Sequence, residues 1–395
     1  MNFFSWFFDK IIDIIFPHFF SHLLVSLRKK PIKTSAFLLV SSISVATIGS
    51  NFTTLPYLPI PVVGEGKPLP SSSTKRARDE LKNIDDYLMV QAKKSQVDNP
   101  MEKHNYVDAW TYANMMIGLG PEQVSENLEK THYSYFRNRM KTGSNCWVQL
   151  RNQHDDPCHT AATSWVLTAM TVNSIQPSEE MWSYLLEQQN SEGWWPLYEN
   201  SGKKSENANT YSTAVALWSL EEGLKRKLIQ KNLIEKAQSK VENARSWLKT
   251  AKIGPCEWSI YPNRKATTKP SVTISTIVIY VLLITKSDSL NDSEAEKCND
   301  AFINEPLKIT DDMYSSGEII ATDDGKLIED GVNHQKLVWK ILALSKLYPH
   351  LSLTGKSQIR KYVEKSLFTD FTSPESSLKL PWQKAELALM LRSIL

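Results

Sequence analysis

One stretch limits what this chain can become more than any other. Residues Trp182 to Leu220 read as two helices around a turn. The first helix carries Tyr184, Leu185 and Leu186 and ends at Gln188-Gln189. A turn follows, with Gly193 set against Trp194 and Trp195, and then a polar loop. The second helix begins near Thr213 and carries Ala214, Ala216, Leu217, Trp218 and Leu220. Gly193 suits the stop, because glycine alone takes positive φ without a steric cost. The second helix is apolar nearly all round, which predicts burial on every side. One such pair cannot cover its own apolar face and needs neighbours of the same kind.

The chain repeats the order. Upstream, Tyr135-Phe136 leads to Cys146-Trp147, a polar loop, Thr160-Ala161-Ala162 and Trp165-Val166-Leu167. Downstream, Trp247-Leu248 leads to Cys256-Glu257-Trp258, Pro270 and the apolar run Ile274 to Ile284. His334 to Leu347 and Trp382 to Leu395 read as two further inner helices. The recurrence is about 50 to 60 residues, longer than the ~33 to 47 of the common helical solenoids. Val272 to Ile284 is rich in Ile, Val and Thr, and propensity alone makes it a strand. The repeat register makes it a buried helix, and tertiary context overrides propensity. Ser287 to Asp312 reads as a polar excursion between repeats, and Asp323-Asp324 before Gly325 as a turn.

The first residues have a different character. Phe3, Phe4, Trp6, Phe7, Phe8 and Ile11 to Phe16, broken by Asp9, Lys10 and Asp13, predict a helix lying in a membrane interface, with Pro17 at its end. Arg28, Lys29, Lys30 and Lys33 follow, and no charged residue occurs from Thr34 through Gly64. Thr34 to Leu55 supplies the ~20 residues of a spanning helix. Residues 1–63 are therefore expected to hold an interfacial helix and a transmembrane helix, single-pass or monotopic. The basic cluster on the near side places the remainder outside the cytoplasm. Gly, Pro and Ser make 64–75 a linker, and 76–395 is left as an all-α domain that opens with helices near Arg76 to Lys94 and Tyr106 to Leu119.

Composition excludes several functions. Among 395 residues, 46 Lys and Arg face 43 Asp and Glu, a net charge of +3. That gives no field for nucleic acid. There is no Gly-rich phosphate loop and no nucleophile elbow. Four cysteines are too few to scaffold a chain of this size by disulfides.

The repeat resembles that of the prenyltransferase and squalene/terpene cyclase superfamily, whose units carry a helix, a Gln, a Gly-x-Trp-like turn and an inner helix. Tyr184-Leu185, Gln189, Gly193 and Trp194-Trp195 match it well; Cys146-Trp147 and Cys256-Glu257-Trp258 match it loosely. The resemblance covers Tyr133 to Leu395. It implies an α/α toroid whose inner helices surround a central cavity that holds an isoprenoid or other apolar ligand. Trp165, Trp195, Tyr211, Trp218, Trp258 and His334 are the expected lining, aromatic faces being suited to an apolar or cationic guest.

The chemistry suggested by the resemblance centres on Asp155-Asp156-Pro157-Cys158-His159-Thr160-Ala161. Alkene-protonating cyclases carry Asp-x-Asp-Asp-Thr-Ala there. Asp156 matches the first Asp and Thr160-Ala161 the end, but Cys158 and His159 stand where the acids belong, and neither protonates an alkene. Protein prenyltransferases hold zinc through an Asp-x-Cys, which Asp156-Pro157-Cys158 matches. Their later His falls at Ser212 here, a poor zinc ligand. Asp155, Asp156, Cys158 and His159 are the candidate catalytic residues, with Asp156 and Cys158 as candidate zinc ligands and no other cofactor implied. Two functions follow. One is a membrane-anchored toroid binding an apolar ligand, active or formerly active as a prenyltransferase or cyclase. The other is a non-catalytic module, held at membrane lipid, that binds a protein partner.

Overall fold

The structure is a computed structural model, and it describes residues 71–97, 108–123, 126–148, 157–199, 207–263, 270–304, 319–321, 327–329, 334–366 and 380–395. The expected membrane segment, 1–63, lies outside them. No described helix is long and apolar enough to cross a membrane. The first described helix begins at Ser71, within the stretch read as linker.

Twelve α-helices alternate between two layers among the described residues. The outer helices are α1 (Ser71–Val97), α3 (Glu126–Asn138), α5 (Glu179–Gln188), α7 (Ile234–Thr250), α9 (Asp292–Asn304) and α11 (Leu353–Ser366). The inner helices are α2 (Ala109–Leu119), α4 (Thr160–Val172), α6 (Thr210–Lys225), α8 (Val272–Thr285), α10 (Lys336–Leu347) and α12 (Pro381–Ile394). Each inner helix packs on the next, and α12 returns to α2, so the inner six close into a ring. The architecture is an α/α toroid. A two-stranded antiparallel hairpin, β1 (Ile319–Ala321) with β2 (Leu327–Glu329), pairs Ile320 with Ile328 ahead of α10. Asp323 and Asp324, expected as a turn, come between these strands in the sequence and lie outside the described residues.

The inner helices are buried almost all round. In α8, the residues Thr273 to Leu283 are all buried, so Val272–Thr285 is helix in spite of its β-branched composition. Surroundings apolar on every side reward any regular element that satisfies its own backbone, and the Ser271 side chain starts this one by capping Ile274 N at 3.2 Å. The outer helices bury one stripe only. Ala295, Cys298, Asn299 and Phe302 are the buried face of α9. Their i, i+3, i+4, i+7 spacing is that of an amphipathic helix, so the stretch expected as a polar excursion, Ser287 to Asp312, contains an outer helix.

Three turns show why the Trp-marked units fold alike. In each, the indole N–H reaches a last-turn carbonyl of the preceding outer helix: Trp147 to Phe136 at 2.9 Å, Trp195 to Leu185 at 2.8 Å, Trp258 to Leu248 at 2.8 Å. Last-turn carbonyls lack an i+4 partner inside the helix, so the ring supplies a donor, alongside Arg139 N at Phe136 O, while filling the space between layers. The backbone N–H of the same Trp donates to a hydroxyl in the first turn of the next inner helix: Thr163 at 3.1 Å, Thr213 at 3.0 Å, Ser275 at 2.9 Å. Neighbouring units are then stitched by Thr160 N to Leu197 O and Thr210 N to Ile260 O, both 2.9 Å. The inner helix of the central unit starts at Thr210, capped by Asn209, three residues before the expected Thr213.

Two features finish the ring. Arg392 on α12 donates to both carboxylate oxygens of Asp85 on α1, each at 2.7 Å, and to Gly118 O on α2 at 2.6 Å. The connections also sort by length. Those from inner to outer helices are short, such as 120–125, 173–178 and 286–291. Those from outer to inner are longer, such as 139–159, 189–209 and 251–271. The long connections lead into the starts of the inner helices, and long loops on a rigid scaffold are where binding groups concentrate.

Candidate functional site

Aromatic side chains from four inner helices meet on the ring axis. Trp165 of α4 contacts Trp218 of α6, Trp218 contacts Tyr280 of α8, Tyr280 contacts Trp339 of α10, and Trp339 closes back on Trp165. Centroid separations run 5.4, 5.8, 5.6 and 6.1 Å, and every pair is edge-to-face. This is the arrangement that sets each ring's positive edge on its neighbour's negative face. At this level the axis is filled by rings rather than hollow.

A polar layer lies beside that girdle, towards the end where the inner helices start. Tyr211, at the second position of α6, has its hydroxyl 2.6 Å from Trp165 Nε1 and 2.7 Å from His334 Nε2. The other His334 nitrogen, Nδ1, meets Glu386 Oε1, and Glu386 Oε2 accepts from Gln335 N at 2.8 Å. Gln335 Nε2 donates to Gln383 O. Donor chemistry fixes the protons. Indole nitrogen only donates, so Tyr211 Oη accepts from Trp165; facing the Glu386 carboxylate, a neutral His334 holds its proton on Nδ1, and its bare Nε2 accepts from Tyr211. The Nδ1 proton is donated to Glu386. Burial pushes the Tyr211 phenol up, which keeps it the donor. Tyr211, His334 and Glu386 are all buried. The network ties α4, α6, α10 and α12 across the axis, and its hydrogen bonds are spent internally.

Over this layer lies an indole floor. Trp110, on the first turn of α2, is half-buried. Its ring lies 5.5 Å from His334 and 5.8 Å from Trp382 on the first turn of α12. Of the residues expected to line the centre, Trp165, Tyr211, Trp218 and His334 are brought together there. Trp195 and Trp258 are not: they sit in the turns between layers, held by the outer-helix carbonyls described above.

The acidic motif is divided. Asp155 and Asp156 lie outside the described residues. Cys158 is bonded to Cys146, and Cys256 to Cys298. All four cysteines are thus paired, where composition alone argued against a disulfide framework. With its sulfur in a disulfide, Cys158 is not available as a thiolate ligand or nucleophile in this state. The Asp156-Cys158 zinc pair expected from the resemblance is therefore not formed by the structure described.

His159 has a structural task. Its Nδ1 accepts from Ala162 N at 3.1 Å and caps α4. An accepting nitrogen must be unprotonated, and burial lowers its pKa to about 4. His132, beside Tyr112, is lowered to about 4 for the same reason. A free histidine titrates near 6.5. Below that pH the unfolded chain takes up protons that the folded chain refuses, so stability falls as pH drops from about 6.5 to about 4 and then levels off. The His159 contribution is about 3 kcal/mol. His159→Asn places there the residue that caps α6 at Asn209. Urea midpoints measured across this range should decline less steeply in the variant, and an unchanged slope would remove His159 from the account.

No family model matches the chain, and no curated protein does. Solved structures do. The GH76A alpha-1,6-mannanase from Salegentibacter sp. HEL1_6 superposes with a TM-score of 0.50 at 12% identity, covering 80% of this chain and 98% of that one. An inactive double Asp-to-Asn variant of it, in complex with alpha-1,6-mannotriose, gives the same values. The type II terpene cyclase MstE from Scytonema, in complex with geranylgeranyl dihydroxybenzoate, reaches 0.47 at 9% identity over 81% of this chain and 99% of that one, too low to bear on function. What the chain shares with the mannanase is the fold, an α/α toroid.

Proposed function

We propose that this protein is a ligand-binding toroid without catalytic activity, which receives an apolar ligand, isoprenoid in class, against the indole floor at the end where the inner helices begin. The observation that carries the reading is the half-buried Trp110 ring packed beside Trp382 and His334. Indole faces offer a large apolar area at little conformational cost. The lack of catalysis rests on the same geometry. Tyr211 and His334 satisfy each other rather than a substrate, and the Cys158 sulfur is bonded. The disulfide pairs support a domain outside the cytoplasm, where such bonds persist, and an anchor in 1–63 would tether the chain to membrane lipid.

The test is a titration of the full chain with geranylgeraniol, followed by tryptophan fluorescence, with alpha-1,6-mannotriose as the polar comparison. Geranylgeraniol should perturb the fluorescence saturably and mannotriose should not. Trp110→Ala should weaken binding at least tenfold, about 1.4 kcal/mol. Binding of neither compound would overturn the reading. A second reading, a non-catalytic module for a protein partner, is favoured by the Cys146–Cys158 bond, which ties together the two ends of the connection 147–157.

A further inference from the structure

The Cys146–Cys158 bond has a third group beside it. One side-chain ligand atom from each of Cys146, Cys158 and Glu199 lies within 4.8 Å of the other two. Both cysteines are buried and Glu199 is half-buried. The Glu199 carboxylate is oriented from two sides: its Oε1 accepts from Cys158 N at 3.0 Å and from Lys141 Nζ at 3.2 Å. Glu199 also borders a surface pocket of about 470 Å³, lined further by Glu179, Glu180, Ser183, Tyr184 and Glu187. That pocket brings an acidic surface up to Glu199, with the two buried sulfurs behind it.

We infer that Cys146, Cys158 and Glu199 form a redox-gated zinc site: a disulfide when oxidised, a zinc clamp when reduced. Zinc takes Cys sulfur and carboxylate oxygen, and two ligand atoms of a tetrahedral zinc stand ~3.5 Å apart. The three atoms present need only small side-chain movements to meet that spacing. Two thiolates and one carboxylate exceed the zinc charge by one, and the Lys141 ammonium offsets the remainder. A fourth position is left for water from the pocket.

The step balances. An external dithiol is oxidised to its disulfide, and its two electrons and two protons reduce the Cys146–Cys158 bond to two thiols. Zinc then displaces both thiol protons as it binds. An external disulfide, reduced to its dithiol as it takes two electrons from the thiolates and two protons from solvent, re-forms the Cys146–Cys158 bond and releases zinc. The connection 147–157 is tethered in either state, covalently in one and through the metal in the other. The ligand set differs from the Asp156-Cys158 pair, and the inference is independent of what binds at the indole floor.

The experiment is metal analysis of the full chain after reduction with a phosphine, exposure to zinc and desalting. Reduced protein should retain one zinc per chain and oxidised protein none. Cobalt in place of zinc should give a thiolate-to-metal charge-transfer band. Glu199→Gln, which leaves the disulfide intact, should lower zinc affinity more than tenfold. The double variant Cys256→Ser with Cys298→Ser should keep full stoichiometry, which assigns the metal to the first pair. Reduced protein without zinc, or zinc retained by Cys146→Ser, would overturn the inference. Should Cys146→Ser fail to fold, an unchanged affinity in Glu199→Gln overturns it equally.

Discussion

Gly193→Ala should destabilise the toroid by about 3 to 5 kcal/mol, or prevent it from folding. Two separate costs add. Gly193 has φ 102, in a region closed to residues with a Cβ. A Cβ at Gly193 would also stand 2.4 Å from the Asn243 carbonyl oxygen on α7, and the obstacle is backbone that cannot swing aside. Gly143 is the internal comparison. It has φ 74, but nothing lies within 4 Å of the place its methyl would take, so Gly143→Ala should cost only the conformational share, about 1 to 2 kcal/mol. Denaturant midpoints of the two variants decide the matter. Equal losses would mean that the turn does not press on the neighbouring outer helix.

Glu386→Ala should cost about 3 to 5 kcal/mol, because it leaves the His334 Nδ1–H and Gln335 N–H buried without an acceptor. Glu386→Gln should cost less, since an amide oxygen still accepts one of the two. The double variant His334→Ala with Glu386→Ala should lose clearly less than the sum of the single losses, by about 0.5 to 3 kcal/mol, as residues sharing one network do. Strict additivity, read from equilibrium unfolding, would show that the two side chains do not depend on each other. Secondary structure should survive in every variant that folds, because the backbone bonds of α10 and α12 are untouched.

How far the sequence announced these features depends on the range over which each is determined. The Trp-marked units were legible because their cause is local: a turn Trp, a cap and a first-turn hydroxyl all fall within 18 residues of one another. Even the true start of α6 had a signal, the Asn209 cap ahead of Ser212. The outer helix α9 had one too, in the spacing of Ala295, Cys298, Asn299 and Phe302, hidden by the charges around it. Cysteine pairing was of another kind. Four cysteines allow three connectivities, and only the fold brings Cys256 to Cys298. The centre was the least readable part. His334 and Glu386 lie far apart in the chain and meet because α10 and α12 are neighbours in the ring. The one hint is a carboxylate, Glu386, set among Ala385, Leu387 and Ala388. Trp195 and Trp258 were misplaced because aromatic composition cannot tell the space between layers from the axis.

The seam between α12 and α2 has a consequence for biosynthesis. The first inner helix, α2, waits for a partner that the ribosome makes some 260 residues later, and at 5 to 20 residues per second that interval lasts ~10 s or more. Throughout it, an apolar flank of the nascent chain stays uncovered. A holdase, or tethering that keeps molecules apart, would protect the unfinished ring from sticking to its copies until Arg392 emerges to latch it.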